Sequence, residues 1–364
     1  MKLRVLLAAL SLATAQAVPA FATEGVGVRE LRIHSDARDR DLTVLIWYPA
    51  SPGGEPVLVG DDRIFEGTPA LSGAPPVAAP HPLILLSHGS GASVQKMAWI
   101  ATALAAKGFV VAGPNHPGTT SGDSTPEDTP KLWERTDDLA TVLSALSADP
   151  DWTRAIDPNK VGLLGFSLGG SAVLETAGAT ASLDAYVSYC ETYPQMPDCR
   201  WFAGGRAYIS GEEFAVEAYD LRRVDRARFE EGKRDPRISA VVAVDPGLAT
   251  AFEAGSIARI GIPLHFINLG QPETIPVGVS SDRLAEAAPN AKLDHVRGAV
   301  HFSFLPVCKP SAAAFMKSVG ETDTLCEDGG DRPRAELHSE LTDMIVRSFQ
   351  ETMTNGASTA SPRP

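Results

Sequence analysis

The chain has 364 residues, of which 44% are hydrophobic and 21% charged, and its net charge is −13. This apolar content is too high for an intrinsically disordered protein and allows a large core in one or two domains. The acidic balance, with no long basic run, argues against a nucleic-acid partner.

The first residues have the features of a secretory signal peptide. Lys2 and Arg4 precede an apolar run from Val5 to Ala13, and Ala20-Phe21-Ala22 offers small residues at a cleavage site. We therefore expect residues 1–22 to be removed on export, which makes the mature protein periplasmic or secreted. No later stretch of the sequence is apolar enough to span a bilayer, so we expect no integral membrane segment after cleavage.

Export to an oxidising compartment predicts that the four cysteines form disulfides. Four cysteines allow three pairings. Neighbours in the chain meet most readily, so we favour the two short-range bonds Cys190–Cys199 and Cys308–Cys326. The spacings of these cysteines do not match a zinc site, and we expect no metal here.

Short apolar runs alternate with helical segments through the first half of the chain. Two opening strands, Val26–Ile33 and Leu42–Tyr48, precede a Pro- and Gly-rich stretch at 51–80 that we expect to be a surface excursion. Short, wholly apolar strands separated by helices indicate a mostly parallel sheet with helices on both faces. The expected strands are 83–86, 109–112 and 161–166, and the expected helices are 94–107, 132–146 and 169–179.

The alternation stops between about Thr180 and Pro236. This segment holds one cysteine pair, many aromatic residues and an expected charged helix from Glu212 to Lys233. We interpret 180–236 as a cap-like insertion in one domain that spans 23–353. The later elements of that domain are expected strands at 238–244, 263–269 and 292–297 and a helix at about 335–353. We expect the small, polar residues 354–364 to be a disordered tail.

Gly165-Phe166-Ser167-Leu168-Gly169 is the strongest chemical signal in the sequence. It follows an expected strand and opens an expected helix, which is the setting of the G-x-S-x-G nucleophile elbow. Such a sharp turn forces a strained backbone at the serine, and glycines two positions to either side avoid collisions. We therefore expect Ser167 to be a nucleophile that needs a base to take its proton.

Of the eight histidines, His301 is the best-placed base. It follows the last expected strand, 292–297, after a turn of small residues. Four other histidines precede Ser167, contrary to the chain order of nucleophile, acid and histidine that this motif accompanies. The remaining three fall inside expected strands or on the last helix: His265, His295 and His338.

Three acidic residues are candidates for the partner of His301. Asp245 ends the strand 238–244, Glu273 follows the next strand, and Asp294 lies within the last one. A carboxylate at the carboxyl end of a parallel strand faces the ligand-binding edge of the sheet. Position alone leaves Asp245 and Glu273 both open, with Asp294 a weaker third.

An attacked carbonyl develops negative charge that two backbone N–H groups can stabilise. Leu168, directly after the nucleophile, supplies one, and within Ser87-His88-Gly89-Ser90-Gly91 the N–H of Ser90 is best placed for the other. A competing motif, Ser93-Val94-Gln95-Lys96, has the S-x-x-K spacing of serine β-lactamases. The sequence lacks the K-T-G and S-D-N partners of that group, so we favour the elbow.

Four motifs together resemble the α/β-hydrolase superfamily, and within it the platelet-activating-factor acetylhydrolase-like group, whose bacterial members are often labelled predicted dienelactone hydrolases. In matching order over 83–304 they are Ser87 to Gly91, Gly165 to Gly170, Ala243 to Pro246 and Ala299 to Phe302. The resemblance implies an α/β-hydrolase fold, a triad of Ser167, Asp245 and His301, and oxyanion donors at Ser90 and Leu168. It favours Asp245 over Glu273. The elbow departs from true dienelactone hydrolases, which use a cysteine nucleophile.

These features predict an exported serine esterase that hydrolyses small-molecule or lipid-like carboxylic esters through an acyl-enzyme. Neither a cofactor nor a metal is expected. The alternatives are an amidase or peptidase with the same triad and a non-catalytic α/β-hydrolase module that only binds ligands. A complete set of nucleophile, base and acid favours an enzyme.

Overall fold

A computed structural model of the chain describes residues 25–354. The expected signal peptide at 1–22 lies outside these residues, and so does the expected tail beyond Thr354. Within residues 25–354, no helix combines the length and the apolar character needed to cross a membrane.

The described residues form fourteen strands and ten α-helices. The strands are β1 Val26–Ser35, β2 Arg40–Pro49, β3 Glu55–Val59, β4 Thr68–Ser72, β5 His81–Ser87, β6 Val110–Pro114, β7 Thr119–Thr120, β8 Asp123–Ser124, β9 Ile156–Phe166, β10 Gly205–Ile209, β11 Glu212–Val216, β12 Ile238–Val244, β13 Leu264–Leu269 and β14 Ala291–Val296. The α-helices are α1 Ala98–Ala106, α2 Leu132–Ala148, α3 Leu168–Ala177, α4 Leu183–Thr192, α5 Pro197–Phe202, α6 Arg226–Phe229, α7 Ala254–Ile257, α8 Asp282–Ala287, α9 Ala312–Ser318 and α10 Arg334–Phe349. Short 3₁₀ turns span Val94–Met97, Leu221–Arg223 and His301–Phe304, and a π-helical turn spans Gln350–Thr354.

Ten strands form one sheet in the order β14-β13-β12-β9-β5-β6-β2-β1-β4-β3. From β14 to β6 every neighbouring pair is parallel. β2 pairs antiparallel with β6 and with β1, and the hairpin of β3 and β4 extends the far edge. Because parallel strands end at the same edge, the loops after β5, β9, β12 and β14 converge there.

Central parallel strands such as β6 and β12 are apolar and buried because helices cover both faces of the sheet. Along β5, Leu83 and Leu85 pack into the core on one face, and Ile84 and Leu86 into the core on the other. Helices α2 and α3 cover the first face, whereas α1 and α10 cover the second. The mostly parallel sheet with helices on both faces is the fold class that the sequence predicts.

The segment 180–236 separates α3 from β12 and contributes α4, α5, β10, β11 and α6. In a second sheet, of order β11-β10-β8-β7, it joins the short strands that follow β6. A disulfide between Cys190 and Cys199 ties α4 to α5, and one between Cys308 and Cys326 closes the loop that contains α9. These are the two pairs that the sequence favours.

One expectation about local structure is wrong. The stretch 212–233 is not one charged helix, because Ser210 and Gly211, with φ of 53° and 85°, make a two-residue turn that pairs β10 with β11. The stretch 51–80 lies at the surface, as expected, since most of its residues are exposed or half-buried, and it contains the hairpin of β3 and β4. Exposed residues alternate with half-buried ones along β3, so its apolar pattern is weak.

Candidate active site

Ser167 lies at the carboxyl edge of the sheet, in the one-residue turn between β9 and α3. Its φ of 55° and ψ of −124° are values that few residues other than glycine adopt. Its N–H donates to the carbonyl of Val244 at 3.0 Å, and its carbonyl accepts from the N–H of Gly247 at 2.9 Å. The end of β12 therefore holds the strained turn in place.

Close backbone contacts require the glycines around Ser167. A Cβ at Gly165 would lie 2.2 Å from the carbonyl oxygen of Gly169, and a Cβ at Gly169 would lie 1.9 Å from that of Ser87. A side chain at either position would push β5, β9 and α3 apart. The elbow motif is thus explained by packing at this corner of the sheet.

His301 begins the 3₁₀ turn His301–Phe304 that follows β14. Its Nε2 lies 3.0 Å from Ser167 Oγ, and its Nδ1 lies 3.0 Å from Asp245 Oδ2. The imidazole packs against the ring of Phe166, with 4.8 Å between the ring centroids. A neutral imidazole that donates from Nδ1 to the carboxylate leaves Nε2 ready to accept the serine proton.

Asp245 directly follows β12 and is fully buried. Its N–H donates to the carbonyl of Ile267 at 2.9 Å, and its backbone has a φ of 41°. While Oδ2 faces His301, Oδ1 accepts from the N–H of Leu269 and from Asn268 Nδ2, both at 2.8 Å. Both carboxylate oxygens therefore have donors, as burial of a charge requires.

The structure brings Asp245, and neither of the other two candidate acids, next to His301. Glu273 is exposed in the loop after β13. Asp294, on β14, lies 2.9 Å from His265 Nε2 and 2.6 Å from Lys292 Nζ. Its carboxylate thus joins an ion pair on the sheet edge.

The ammonium group of Lys96, from the S-x-x-K motif, is engaged with other residues. Its Nζ donates to the carbonyl of Gly60 at 2.8 Å and forms an ion pair with Asp62. A lysine held in this pair is a poor base for Ser93. Among residues 25–354, no three His, Cys, Asp or Glu side chains are grouped as ligands for a metal ion.

Two backbone N–H groups lie beside the nucleophile. Leu168 is the first residue of α3, so its N–H has no acceptor within the helix. Ser90 follows Gly89, where a Cβ would lie 3.3 Å from the Cβ of Ser167. Ser90 is exposed to the groove, and no hydrogen bond within residues 25–354 uses its N–H. Both N–H groups are therefore available to an oxyanion.

Asn268 is a polar residue at this site that the sequence analysis missed. It is fully buried near the end of β13. Its Nδ2 donates to Asp245 Oδ1 and to the carbonyl of Val279, both at 2.8 Å, and its Oδ1 accepts from the N–H of Ser281 at 2.9 Å. An asparagine next to the end of a mostly apolar strand is the available signal. Its contacts orient the carboxylate of Asp245.

Replacing Asn268 by leucine should lower kcat about tenfold and leave KM nearly unchanged, because Asp245 loses one of the donors that orient it. The free energy of unfolding should also fall by about 1–3 kcal/mol, since buried polar groups lose their partners. Steady-state kinetics and urea unfolding measure the two effects, with the exposed Asn290→Leu as control. An unchanged kcat in the folded Asn268→Leu variant would show that Asn268 does not position the acid.

Helix α10 holds the turn that carries His301. His338 Nε2 lies 3.0 Å from the carbonyl of Ser303 and 3.1 Å from that of Leu305. Its ring stacks on Trp99, with 3.8 Å between the centroids. Burial lowers the pKa of the His338 imidazole to about 4, so the ring is neutral at pH 7 and donates from Nε2.

Stability should fall in mild acid, because burial lowers the pKa of His338 to about 4 and the pKa values of His88 and His116 well below their ordinary range. Below about pH 6.5 the unfolded chain binds protons that the folded chain excludes, so stability present above that pH is lost as pH falls. His338 alone should remove about 2 kcal/mol between about pH 7 and pH 5. Urea unfolding at both pH values should show a smaller loss for His338→Gln than for the wild type. Equal losses would contradict this assignment.

A groove of about 440 Å³ opens over Ser167 and His301. Its walls come from segments outside the parallel core, namely the turn after β3, the insertion and the loop closed by Cys308 and Cys326. Residues of these walls are Asp62, Ile64, Phe65, Trp201, Arg206, Tyr208, Glu321, Asp323 and Leu325. Arg206 lies 3.6 Å from Glu321, so the insertion meets the disulfide-closed loop across the groove.

The model of the α/β hydrolase family matches residues 83–333, which is more than half of the chain. This stretch begins in β5 and includes Ser167, Asp245 and His301. The chain therefore belongs to the α/β hydrolase family, and the resemblance inferred from its motifs is confirmed at the level of the superfamily. No curated protein matches the chain.

Solved structures are similar to this chain at low sequence identity, and the first of them shares its fold. A ferulic acid esterase from Streptomyces cinnamoneus is 18% identical, with a TM-score of 0.58, and the match covers 96% of this chain and 95% of that one. A dienelactone hydrolase from Anabaena variabilis is 13% identical, with a TM-score of 0.45 and coverage of 90% and 99%. A predicted CIB-like hydrolase from Thermoplasma acidophilum is also 13% identical, with a TM-score of 0.43 and coverage of 89% and 100%.

Proposed function

We propose that the chain is an exported serine esterase that hydrolyses carboxylic esters through an acyl-enzyme intermediate. The observation that carries this proposal is the unbroken series of hydrogen bonds from Ser167 through His301 to Asp245, which ends in an open groove. The strained elbow and two available N–H groups beside the nucleophile add support.

In the first half of the reaction, His301 Nε2 takes the proton of Ser167 as Oγ attacks the ester carbonyl. The bond between Oγ and the carbonyl carbon forms, and the carbonyl oxygen becomes an oxyanion that accepts from the N–H groups of Ser90 and Leu168. Asp245 stabilises the imidazolium, which then gives its proton to the departing alcohol. The acyl group remains on Ser167.

In the second half, His301 removes a proton from a water molecule that attacks the acyl carbon. The same two N–H groups hold the second oxyanion. The imidazolium returns its proton to Ser167 Oγ as the bond to the acyl carbon breaks, and the acid leaves. The scheme needs no metal and no cofactor.

Export is supported by the signal-like first residues and by the two disulfides, which persist in oxidising compartments. We propose a small-molecule or lipid-like ester as substrate. The walls of the groove mix aromatic and polar side chains, which suits an uncharged ester with an apolar portion.

p-Nitrophenyl esters of increasing acyl length, assayed beside the matching p-nitroanilides, test the proposal. The purified wild-type chain should hydrolyse at least the short esters and leave the anilides intact, and EDTA should not change the rate. Faster turnover of the anilides would favour an amidase. A folded chain that hydrolyses neither series would favour a binding module.

A further inference from the structure

A second series of serine, histidine and aspartate lies buried beneath the loop that carries Ser90. Ser87 Oγ is 2.9 Å from His116 Nε2, and His116 Nδ1 is 2.9 Å from Asp138 Oδ2. All three side chains are fully buried, so no substrate reaches them. Arg38 donates to both oxygens of Asp138, at 2.9 and 2.8 Å. This arrangement makes Asp138 an acceptor and His116 a neutral ring with its proton on Nδ1.

Arg135, on α2, adds a positive charge to this buried cluster and is itself only 1% exposed. Its Nη1 donates to the carbonyl of His88 at 2.6 Å and to Ser87 Oγ at 3.3 Å. Its Nε donates to Thr119 Oγ1 at 3.1 Å, and its Nη2 to the carbonyl of Thr119 at 3.4 Å. A guanidinium is buried only where acceptors are fixed around it, and here they belong to the end of β5, to His88 directly after it and to β7.

Arg135 and the residues it contacts hold the backbone on either side of Ser90. The carbonyl of His88 accepts from Arg135, and the carbonyl of Gly89 accepts from His88 Nδ1 at 2.7 Å. The N–H of Gly91 donates at 2.9 Å to the carbonyl of Thr119, which Arg135 also holds. The peptide groups around Ser90 are thus fixed on the protein side of the loop. The N–H of Ser90 itself has no partner among residues 25–354 and faces the groove.

We propose that Arg135 is a positioning residue for the oxyanion hole, acting through His88 and Thr119 to aim the N–H of Ser90 at the carbonyl attacked by Ser167. This inference rests on the proposed esterase function. The series of Ser87, His116 and Asp138 supports Arg135, because the Ser87 hydroxyl donates to His116 and so turns a lone pair toward the guanidinium. Arg135 does not contact the substrate directly, because its side chain is enclosed by protein.

An N–H that binds the oxyanion acts on the transition state more than on the bound ester. A displaced Ser90 N–H should therefore lower kcat and leave KM unchanged. Arg135→Met should reduce kcat by about 100-fold, the effect of losing one oxyanion donor. Arg135→Lys keeps the charge but only a single donor atom, and should reduce kcat by about tenfold.

A trifluoromethyl ketone forms an adduct with serine that carries an oxyanion. Its binding therefore distinguishes a displaced oxyanion donor from a general loss of structure. Its inhibition constant should rise by the same factor as kcat falls in Arg135→Met and Arg135→Lys, while melting temperature is recorded for each variant. Arg237→Met is the matched control, because Arg237 also contacts α2, through Ser144 Oγ and the carbonyl of Ala140, away from this loop. Arg237→Met should leave kcat and the inhibition constant of the ketone within about twofold of the wild-type values.

Folded Arg135 variants with kcat and ketone binding within twofold of the wild type would overturn the inference and leave the esterase proposal standing. If Arg135→Met does not fold, the same comparison with Arg135→Lys decides. A loss of kcat without a matching loss of ketone affinity would also overturn it. A wild-type chain that neither hydrolyses esters nor binds the ketone would overturn the proposed function first.

Discussion

Replacing Ser167 by alanine should reduce kcat for a p-nitrophenyl ester by a factor on the order of a million, if the triad acts as a unit. Alanine has no oxygen to attack the carbonyl, so no acyl-enzyme forms. The fold should persist, because the elbow is held by backbone bonds to Val244 and Gly247 that the substitution leaves in place. Circular dichroism and initial rates measure the two outcomes.

Lys96→Ala is the control for this experiment, since it removes the lysine of the competing motif. Lys96 forms an ion pair with Asp62 at the side of the groove. Loss of this ion pair should leave kcat within a few-fold of the wild-type value. An active Ser167→Ala beside an inactive Lys96→Ala would mean that the nucleophile lies outside the elbow.

Asp245→Asn should reduce kcat by about ten-thousand-fold with little change in fold. Asp245 Oδ1 accepts from Leu269 N–H and Asn268 Nδ2, so the carbonyl oxygen of the new amide would take that side. Its NH₂ group would then face His301 Nδ1 and donate to it. The imidazole proton would move to Nε2, where it blocks acceptance of the serine proton.

Glu273→Gln is the matched control for the acid, since it makes the same chemical change on an exposed loop. Glu273→Gln should leave kcat within about twofold of the wild-type value. The reverse pattern, an inactive Glu273→Gln and an active Asp245→Asn, would move the acid to the loop after β13. The esterase proposal would survive that result, but the role of Asp245 would not.

Much of the parallel sheet could be predicted because its signals are local. The buried parts of β5 and β9, at 83–86 and 161–166, are apolar runs, and the elbow is a contiguous motif between a strand and a helix. The assignment of His301 depended on chain order, and position alone left Asp245 and Glu273 open. The choice between those two acids depends on how the loops after β12 and β13 pack, which sequence spacing does not specify.

The contacts around these side chains could not be predicted, because they join residues far apart in sequence. Arg135 reaches the carbonyl of His88 across 47 positions. No local signal within α2 distinguishes it from the other charged residues of the helix. The hairpin of β10 and β11 replaces the predicted helix for a local reason, because Ser210 and Gly211 form a tight turn, whereas the charged residues after it favour a helix.

Identification of the residue that carries the acyl group tests the central claim most directly. The wild-type chain should be treated with a fluorophosphonate, digested and mapped by mass spectrometry, with Ser167→Ala alongside. We predict one adduct, on Ser167, at the stoichiometry of active protein, and none in the variant. An adduct on Ser93, or labelling that persists in Ser167→Ala, would contradict the account.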